Sequence, residues 1–454
     1  MQDERMQGNF FRRHARLLAI LAVAGVGLQG CGIFKGGGSN KNVRTSGERV
    51  AVLNYENQAD AEAELQDVAV VLPAAEVNAS WTQPGGNASG AMGHLALSSA
   101  PVRQWRVSIG QGSNKTRRLN AAPVIAGNRL FTMDTAARIT AFDATTGREL
   151  WRRQISVDGE NTRLAFGGGV SVAGDRVFAT TGYGVAAAFA ADSGEQLWRV
   201  QLPTPLRAAP AVDGDRVYVT GQDSQLSALD ARTGETLWEA HGTVEPAAVL
   251  GSGAPAVALG TVVAGFPSGE LFALRVENGR TVWQDHLSRT GRTTALGALS
   301  AVVASPVIDR GRVFAVGHGG RMAALELATG QRVWERDFAG VNTPWSVGDW
   351  VFVVTVDAQL IALTRVDGKI RWVTQLERYK NEKKRSGPVE WFGPVLGGNH
   401  LYLVSSRQKL VKVSPQTGEV MEETNLGNPV YLPPVIANGM LYILTDDGTL
   451  TAYR

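Results

Sequence analysis

Few side chains in this sequence are arranged for catalysis. Five histidines follow the N-terminal region without HExxH spacing: His94, His241, His286, His318 and His400. No GxSxG motif occurs, and Gly317-His318-Gly319-Gly320, which has the composition of an oxyanion loop, is predicted to be a turn after a short β-rich run. No cluster of carboxylates and amides suggests an oxygen-rich calcium site. The sequence therefore predicts a protein that is not an enzyme and carries no metal or cofactor.

Cys31 is the only cysteine among 454 residues, so the chain can form neither an internal disulfide nor a cysteine-based zinc site. It follows a basic stretch with Arg12, Arg13 and Arg16 and an apolar run from Leu17 to Leu28, which is the order of regions in an export signal. About 12 apolar residues are too few to span a bilayer, which needs about 20. We therefore predict that residues 1–30 are a signal peptide.

The four residues Leu28-Gln29-Gly30-Cys31 resemble the bacterial lipobox. The resemblance implies that the Cys31 thiol is diacylated and that its new amino group is acylated after cleavage, which gives the several chains that stable anchoring requires. Because Gln29 is unusual in this motif, an unpaired thiol behind an ordinary export signal is the alternative. Gly32 in place of aspartate implies a lipid-anchored protein at the periplasmic face of the outer membrane.

The charge of the chain argues against nucleic acid as a partner. The formal net charge is +3, and the predicted signal peptide contributes part of that excess. The remainder has a net charge near +1, which lacks the basic footprint of nucleic-acid binding.

One sequence unit recurs seven times. Its first copy is Ala141-Phe142-Asp143-Ala144-Thr145-Thr146-Gly147-Arg148-Glu149-Leu150-Trp151, and the glycines that centre the seven copies are Gly147, Gly194, Gly234, Gly279, Gly330, Gly368 and Gly418. A tryptophan follows the glycine by four residues in six copies, whereas the seventh copy has Met421-Glu422. The glycines are 38 to 51 residues apart, the length of one four-stranded propeller blade.

A second series of short β-rich runs occurs eight times between Leu130 and Ile443, and most of them are introduced by a hairpin turn such as Gly127-Asn128. Eight first hairpins indicate eight blades. The last run ends at Arg454 without a fourth strand, and Val102 to Val107, with Trp105 in the tryptophan position, supplies a strand near the other end. We predict an all-β fold: an eight-bladed β-propeller of four-stranded blades, closed by an N-terminal strand that completes the last blade.

The repeated residues have structural explanations. Glycine supplies the positive φ of a tight turn. The tryptophans are expected to wedge between neighbouring blades, with alanine leaving room for them, because a single ligand site would not need seven copies of its residue. The tryptophans concerned are Trp105, Trp151, Trp198, Trp238, Trp283, Trp334 and Trp372.

Residues 31–100 differ from the repeats, which occupy residues 101–454. Gly36 to Asn42 has the composition of a flexible tether, and Ala59 to Leu65 could form one or two helical turns. The run from Trp81 through Pro84-Gly85-Gly86-Asn87 to Leu95 is expected to lie against the ring.

The unit Ala-x-Asp-x-x-Thr-Gly-x-x-x-Trp resembles the repeat of pyrroloquinoline-quinone (PQQ) type propellers, which specifies a fold and not an activity. With the lipobox, the blade count and the Pro84-Gly85-Gly86-Asn87 segment, the chain is similar to the BamB family of outer-membrane protein assembly lipoproteins. The resemblance implies a scaffold that binds the periplasmic domain of the central barrel subunit and helps deliver unfolded outer-membrane proteins.

The resemblance also suggests where a partner binds. The family's partner-facing loops correspond to residues 247–251 and 296–301, and the family's arginine and paired aspartates are replaced here by Leu250, Ala301 and Val303. An apolar contact through Val249, Leu250 and Leu299 is therefore predicted, with buried loop ends as the alternative.

Two other functions fit the same fold. A PQQ-dependent dehydrogenase would, by resemblance, need a cysteine pair and a calcium site, and the second cysteine is absent. An envelope carbohydrate-binding or signalling propeller is the other candidate. Its charged loop, Glu377 to Arg385, could bind acidic headgroups or a partner, or could simply be solvated.

Overall fold

The computed structural model describes residues 59–156, 167–244, 253–287 and 301–454. Contacts divide the chain into Met1–Leu53 and Asn54–Arg454, and all described residues belong to the second unit. This unit contains eight antiparallel sheets of four or five strands that follow one another along the chain, and one small two-stranded sheet. The predicted eight-bladed propeller is thereby confirmed.

The elements before the first complete blade are a 3₁₀ turn η1 (Ala63–Leu65) and the strands β1 (Ser80–Trp81) and β2 (Arg103–Ser108). Blade 1 contains β3 (Val124–Ala126), β4 (Arg129–Met133), β5 (Arg138–Asp143) and β6 (Glu149–Gln154). Blade 2 contains β7 (Gly168–Ala173), β8 (Arg176–Thr181), β9 (Val185–Ala190) and β10 (Gln196–Gln201). Blade 3 contains β11 (Ala211–Asp213), β12 (Arg216–Thr220), β13 (Gln225–Asp230) and β14 (Thr236–His241). Blade 4 contains β15 (Ala256–Ala258), β16 (Thr261–Gly265), β17 (Glu270–Arg275) and β18 (Thr281–His286).

Blade 5 contains β19 (Val307–Asp309), β20 (Arg312–Val316), β21 (Met322–Glu326) and β22 (Arg332–Arg336). Blade 6 contains β23 (Trp345–Val347), β24 (Trp350–Val354), β25 (Gln359–Thr364) and β26 (Ile370–Gln375). A small hairpin of β27 (Tyr379–Asn381) and β28 (Ser386–Pro388) precedes blade 7, which contains β29 (Trp391–Gly397), β30 (His400–Ser405), β31 (Lys409–Val413) and β32 (Val420–Asn425). Blade 8 contains β33 (Val435–Ala437), β34 (Met440–Leu444) and β35 (Thr449–Tyr453), with β2 as its fourth strand.

The ring closes where β2 pairs antiparallel with β35. Trp105 lies opposite Ala452, and its ring centroid is 5.8 Å from that of Tyr442 on β34. Strand β2 therefore completes the last blade, as predicted, and the ring has no open first or last sheet.

The burial of each strand follows its position in the blade. Second strands are buried along most or all of their length, as β24 is at every residue, because both faces of the sheet pack against neighbouring blades. Fourth strands such as β10 expose most residues and bury the tryptophan, here Trp198. The hydrophobic core therefore lies between the blades.

Seven tryptophans latch their blade to the following blade through the indole N–H. Each donates to a backbone carbonyl of the turn between the third and fourth strands of the next blade, at 2.7 to 3.2 Å: Trp105 to Ala144, Trp151 to Ala191, Trp198 to Ala231, Trp238 to Val276, Trp283 to Leu327, Trp334 to Arg365 and Trp372 to Pro415.

The repeated glycine provides the space for this contact. A Cβ atom on the seven turn glycines would lie between 2.5 and 2.8 Å from the tryptophan ring of the preceding blade. The repeated alanine lies beside the tryptophan on the same sheet, as Ala141 does opposite Trp151. The turn thus needs glycine both for its positive φ and for the close approach of the indole.

Residues 76–97, which we call the inner segment, contact the first strand of all eight blades. Ser80 and Trp81 pair with β3, so the blade 1 sheet has five strands. The other contacts join Thr82 to Val172, Gln83 to Val212, Ala88 to Val257, Ser89 to Ile308, Gly93 to Trp345, Leu95 to Leu396 and Asn78 to Ile436. The first strands are nearest the ring axis, so the inner segment lies in the central channel.

Residues 59–75 precede the inner segment and run along blades 5 and 6. Glu62 forms an ion pair with Arg336 at 3.0 Å, and its backbone N–H donates a hydrogen bond to the Ile370 carbonyl at 2.8 Å. Ala63–Leu65 forms the one helical turn of this stretch. In the described ranges no helix is long and apolar enough to cross a membrane.

Candidate partner-binding face

The two faces of the ring carry different connections. One face, which we call the loop face, carries the connections from the fourth strand of one blade to the first strand of the next, together with the turns between second and third strands. Backbone hydrogen bonds join the two sets: Leu202 donates to Gly184 and Leu287 donates to Gly269, each at 2.8 Å. The opposite face carries the first hairpins and the Asp-x-x-Thr-Gly turns.

The predicted partner-binding residues Val249, Leu250 and Leu299 lie outside the described residues, as does the predicted lipidation site Cys31. In sequence, the two predicted loops fall between β14 and β15 and between β18 and β19, and the described ends of these connections lie on the loop face. The latter connection, residues 287–306, is the longest between two blades of the ring.

The described ends of these two loops differ in exposure. Val244 is 66% exposed where the first loop leaves β14. Ala301 is buried at 1% exposure where the second loop returns, so its side chain cannot contact a partner. Val303 is half-buried and lines a cavity at the centre of the face. The described start of the first loop therefore presents an exposed apolar side chain.

Glu270 organises the base of the first loop. Its carboxylate accepts hydrogen bonds from the Thr243 backbone N–H at 2.7 Å, the Thr243 hydroxyl at 2.9 Å and the Ser268 hydroxyl at 2.6 Å. Partial burial acts to raise the pKa of Glu270, but these hydrogen bonds and the charge of His286 lower it below its usual range. The charged carboxylate therefore fixes the chain where the loop begins.

An ion pair joins blades 4 and 5 near the second loop. The Arg332 guanidinium donates to Asp285 at 2.6 and 2.8 Å and to the His286 carbonyl at 2.7 Å. The hydrogen bond to Asp285 raises the pKa of Arg332. The bidentate geometry holds the end of β18 against β22, so the second loop leaves from a fixed position.

The charged loop from Glu377 to Arg385 extends the same face. It forms most of the β27–β28 hairpin, whose cationic residues Lys380, Lys383, Lys384 and Arg385 are exposed. Trp391 anchors the base through a 2.9 Å hydrogen bond to the Glu377 carbonyl, and Arg378 pairs with Asp357. The hairpin thus presents positive charge from a fixed base.

A cavity of about 360 Å³ lies at the centre of the loop face. Its floor includes Trp81, Pro84 and Gly90 of the inner segment, and its walls are the residues that precede the first strands of the blades. Its charged side chain, Arg207, donates to Gln222, and burial lowers the pKa of Arg207. The cavity is mainly lined by small and apolar residues.

The histidines that we considered for chemistry have structural contacts. His94 is buried, its Nδ1 bonds the Pro73 carbonyl at 2.8 Å, and its Nε2 accepts the Asn399 N–H at 3.0 Å. His318 lies in the turn between β20 and β21, where its backbone N–H donates to Ala301. Within the described ranges, no three His, Cys, Asp or Glu side chains are grouped as a metal site would require.

The fold and these contacts define a class: an eight-bladed β-propeller with tryptophan latches and a loop-bearing face around a central cavity. The matched repeats identify the family within that class. The chain belongs to the family described as outer membrane protein assembly factor BamB, whose model matches residues 91–165, 136–374 and 375–454. The family resemblance of the repeat is thereby confirmed.

Curated relatives agree with this assignment. The outer membrane protein assembly factor BamB of Salmonella typhimurium is 30% identical over 356 residues, which cover 78% of this chain and 88% of that protein. The protein of the same description from Escherichia coli strain K12 is 30% identical over 354 residues, covering 77% of this chain and 88% of its own length.

Solved structures show the same fold. The BamB crystal structure from Moraxella catarrhalis has a TM-score of 0.66 at 18% identity and covers 78% of this chain and 100% of its own. The quinohemoprotein alcohol dehydrogenase of Comamonas testosteroni has a TM-score of 0.64 at 13% identity, covering 84% and 81%. Since both identities are low, these likenesses concern the architecture alone.

Proposed function

We propose that this chain is a non-catalytic scaffold lipoprotein of the outer-membrane β-barrel assembly machinery. Acylated Cys31 anchors it at the periplasmic face of the outer membrane. It binds the periplasmic part of the central barrel subunit and aids the insertion of outer-membrane proteins. The family match along the whole ring is the observation that carries this proposal.

The loop face at blades 3 to 5 is the proposed contact surface. Both loops leave from bases that are held by side chains, Glu270 for the first and the Asp285–Arg332 pair for the second. A rigid base lowers the conformational entropy that a loop loses on binding. The exposed Val244 continues the apolar character of Val249 and Leu250, and apolar loops on a rigid frame are typical of protein interfaces.

The described chain approaches the ring from the other side. Residues 62 and 68 bond to Ile370 and Arg371, which follow the Asp-x-x-Thr-Gly type turn of blade 6 on the opposite face. The segment that leads toward the anchor therefore does not cover the loop face in the described ranges, so a partner has access to that face.

The test is recovery of the partner with the full-length protein. The chain would be expressed in its membrane, extracted with mild detergent and purified, and the barrel-assembly subunit would be quantified. The Val249→Asp, Leu250→Asp double variant is expected to lower recovery at least tenfold, because a buried charge at an interface is costly.

A matched control exists on the opposite face. Leu259 is 78% exposed in the first hairpin of blade 4, and Val366 is 60% exposed in the turn of blade 6. The Leu259→Asp, Val366→Asp variant should bind like the wild type. Equal recovery with Val249→Asp, Leu250→Asp, or loss of its folded circular dichroism spectrum, would contradict the proposed contact. Absence of the subunit from the wild-type preparation would contradict the scaffold role.

A further inference from the structure

The contact between blades 7 and 8 differs from the seven latched contacts. Register places Glu422 opposite Lys412, as Trp372 is opposite Ala362 in blade 6. Thus Glu422 stands where the other blades have tryptophan, and Lys412 stands where they have alanine. In the described chain no turn joins the third and fourth strands of blade 8, because β35 pairs with β2, a strand that lies far from it in sequence, so the turn that receives an indole in the other blades is not formed there.

A cavity of about 280 Å³ occupies this seam. Blade 7 contributes Tyr402, Leu410 and Glu422 to its walls, and the side of blade 8 contributes Leu441 and Tyr453. A cavity needs roughly 10–15 Å³ to hold one water, so this cavity is many times larger than one water requires and has room for an aromatic ring. Strand β32 is exposed at all six residues, and its Glu422 and Thr424 line the cavity on the perimeter side of the ring, beside the segment from Ala100 to Val102.

One buried polar group, the Tyr402 hydroxyl, belongs to the wall of the cavity. Tyr402 is only 1% exposed, yet its hydroxyl has no hydrogen-bond partner among the residues that the structure describes. A buried hydroxyl without a partner is costly, and a ligand N–H could satisfy it. At the mouth, Lys412 forms a 3.6 Å ion pair with Glu422, whose side chain is 60% exposed.

The geometry points to an indole as the ligand, and we propose that the seam binds the tryptophan side chain of another polypeptide. In blade 6 the equivalent space holds Trp372, 5.9 Å from Phe352, and Tyr402 occupies the Phe352 position in blade 7. An inserted indole would stack near Tyr402 and donate its N–H to the Tyr402 hydroxyl.

The ligand must come from outside this chain. All eleven tryptophans lie in the described residues, and none of them lines the seam cavity. A polypeptide source is favoured because β32 is a fourth strand with a free edge, where the backbone of an extended peptide can pair. This site is distinct from the loop face, so its test is independent of the proposed function.

Fluorine NMR tests the proposal without interference from the protein's own tryptophans. The full-length protein would be titrated into acetyl-Ala-(5-fluoro-Trp)-Ala-amide and, separately, into 5-fluoroindole. We expect the peptide to bind with a Kd of roughly 0.1–1 mM, from the efficiency usual for ligands of this size, and at least threefold more tightly than indole. An excess of acetyl-Ala-Leu-Ala-amide should not displace it.

Two variants identify the seam as the site. The Lys412→Ala, Glu422→Trp variant fills the cavity with the chain's own indole and should weaken peptide binding at least tenfold while raising the thermal midpoint. Four other blades have phenylalanine at this position. The Tyr402→Phe variant should therefore fold, and it should bind the peptide several-fold more weakly. No binding by the wild type, equal affinity for free indole, displacement by the leucine peptide, or unchanged affinity in Tyr402→Phe would each overturn the proposal.

Discussion

The indole N–H of Trp198 in blade 2 donates a 3.0 Å hydrogen bond to the Ala231 carbonyl in blade 3, and the same ring lies against Gly234. A Cβ at Gly234 would be 2.7 Å from the ring. One aromatic residue and one glycine of different blades therefore determine how closely those blades can pack.

Gly234→Ala and Gly214→Ala form a matched pair that isolates this packing. Both glycines have positive φ, +79° and +57°, but a Cβ at Gly214 meets nothing within 4 Å. We expect Gly214→Ala to cost about 1 kcal/mol from backbone strain alone, and Gly234→Ala to cost a further 1–3 kcal/mol from overpacking. Urea unfolding measures both. Equal losses would show that the indole contact does not require glycine.

The inner segment is predicted to contribute stability through Gln83, which is 4% exposed. Its amide accepts from the Val212 N–H at 2.7 Å and donates to the Val212 carbonyl at 3.2 Å, as a paired strand would. Gln83→Leu should cost about 2 kcal/mol, because it leaves buried backbone groups unpaired. Hydrogen exchange should show lost protection at Val212, and the exposed Gln66→Leu should change neither quantity. Retained protection at Val212 in Gln83→Leu would refute this role.

The predicted anchor depends on one sulfur atom. Cys31→Ser should abolish acylation and give either a soluble periplasmic form or an uncleaved precursor, because serine cannot form the thioether. Labelling with a palmitate analogue, followed by membrane fractionation and electrophoresis, checks both results. Unchanged membrane attachment together with unchanged mobility would show that Cys31 is not the anchor.

Alkaline pH should destabilise the fold through Tyr402. Burial, with a smaller effect from the Glu422 charge, raises the pKa of Tyr402 to about 12. Because the folded pKa lies above the unfolded value, the neutral phenol stabilises the fold below about pH 10, and this contribution is lost as the pH rises through 12.

The matching variant is Tyr402→Phe, with Tyr379→Phe on the exposed hairpin as its control. Relative to the wild type, Tyr402→Phe should gain about 2–3 kcal/mol of unfolding free energy between pH 9 and pH 12. Denaturant unfolding at each pH gives the comparison. A constant difference between wild type and Tyr402→Phe across that range would exclude this cause.

The blade count could be predicted because each blade repeats residues with a fixed structural task. The indole of Trp151 and the turn glycine Gly194 contact one another across a blade boundary, so their spacing recurs with the blade. The closing strand was predictable for the same reason, since Trp105 occupies a tryptophan position outside the series. The repeated residues are therefore the ones that make the contacts between blades.

Other features of the structure are not accompanied by a repeated sequence pattern. Most bonds of the inner segment use backbone atoms, such as the Thr82 and Ala88 carbonyls, which any residue supplies. The seam cavity was visible in sequence only as Met421-Glu422 in place of tryptophan, and its volume depends on how two sheets pack. The partner residues Val249, Leu250 and Leu299 stay predictions, because they lie outside the described residues.

The inner segment also constrains when the chain can complete its fold. The Asn78 side chain donates to the Ile436 carbonyl, 358 residues further along, and β2 pairs with the last strand. Ribosomes make the N-terminal end first, so these residues emerge long before their partners exist. Contacts between residues so far apart in the sequence are slow to form. Ring closure therefore follows synthesis, and a nascent chain halted before blade 8 would leave β2 unpaired, because the strand that it pairs with has not yet been made.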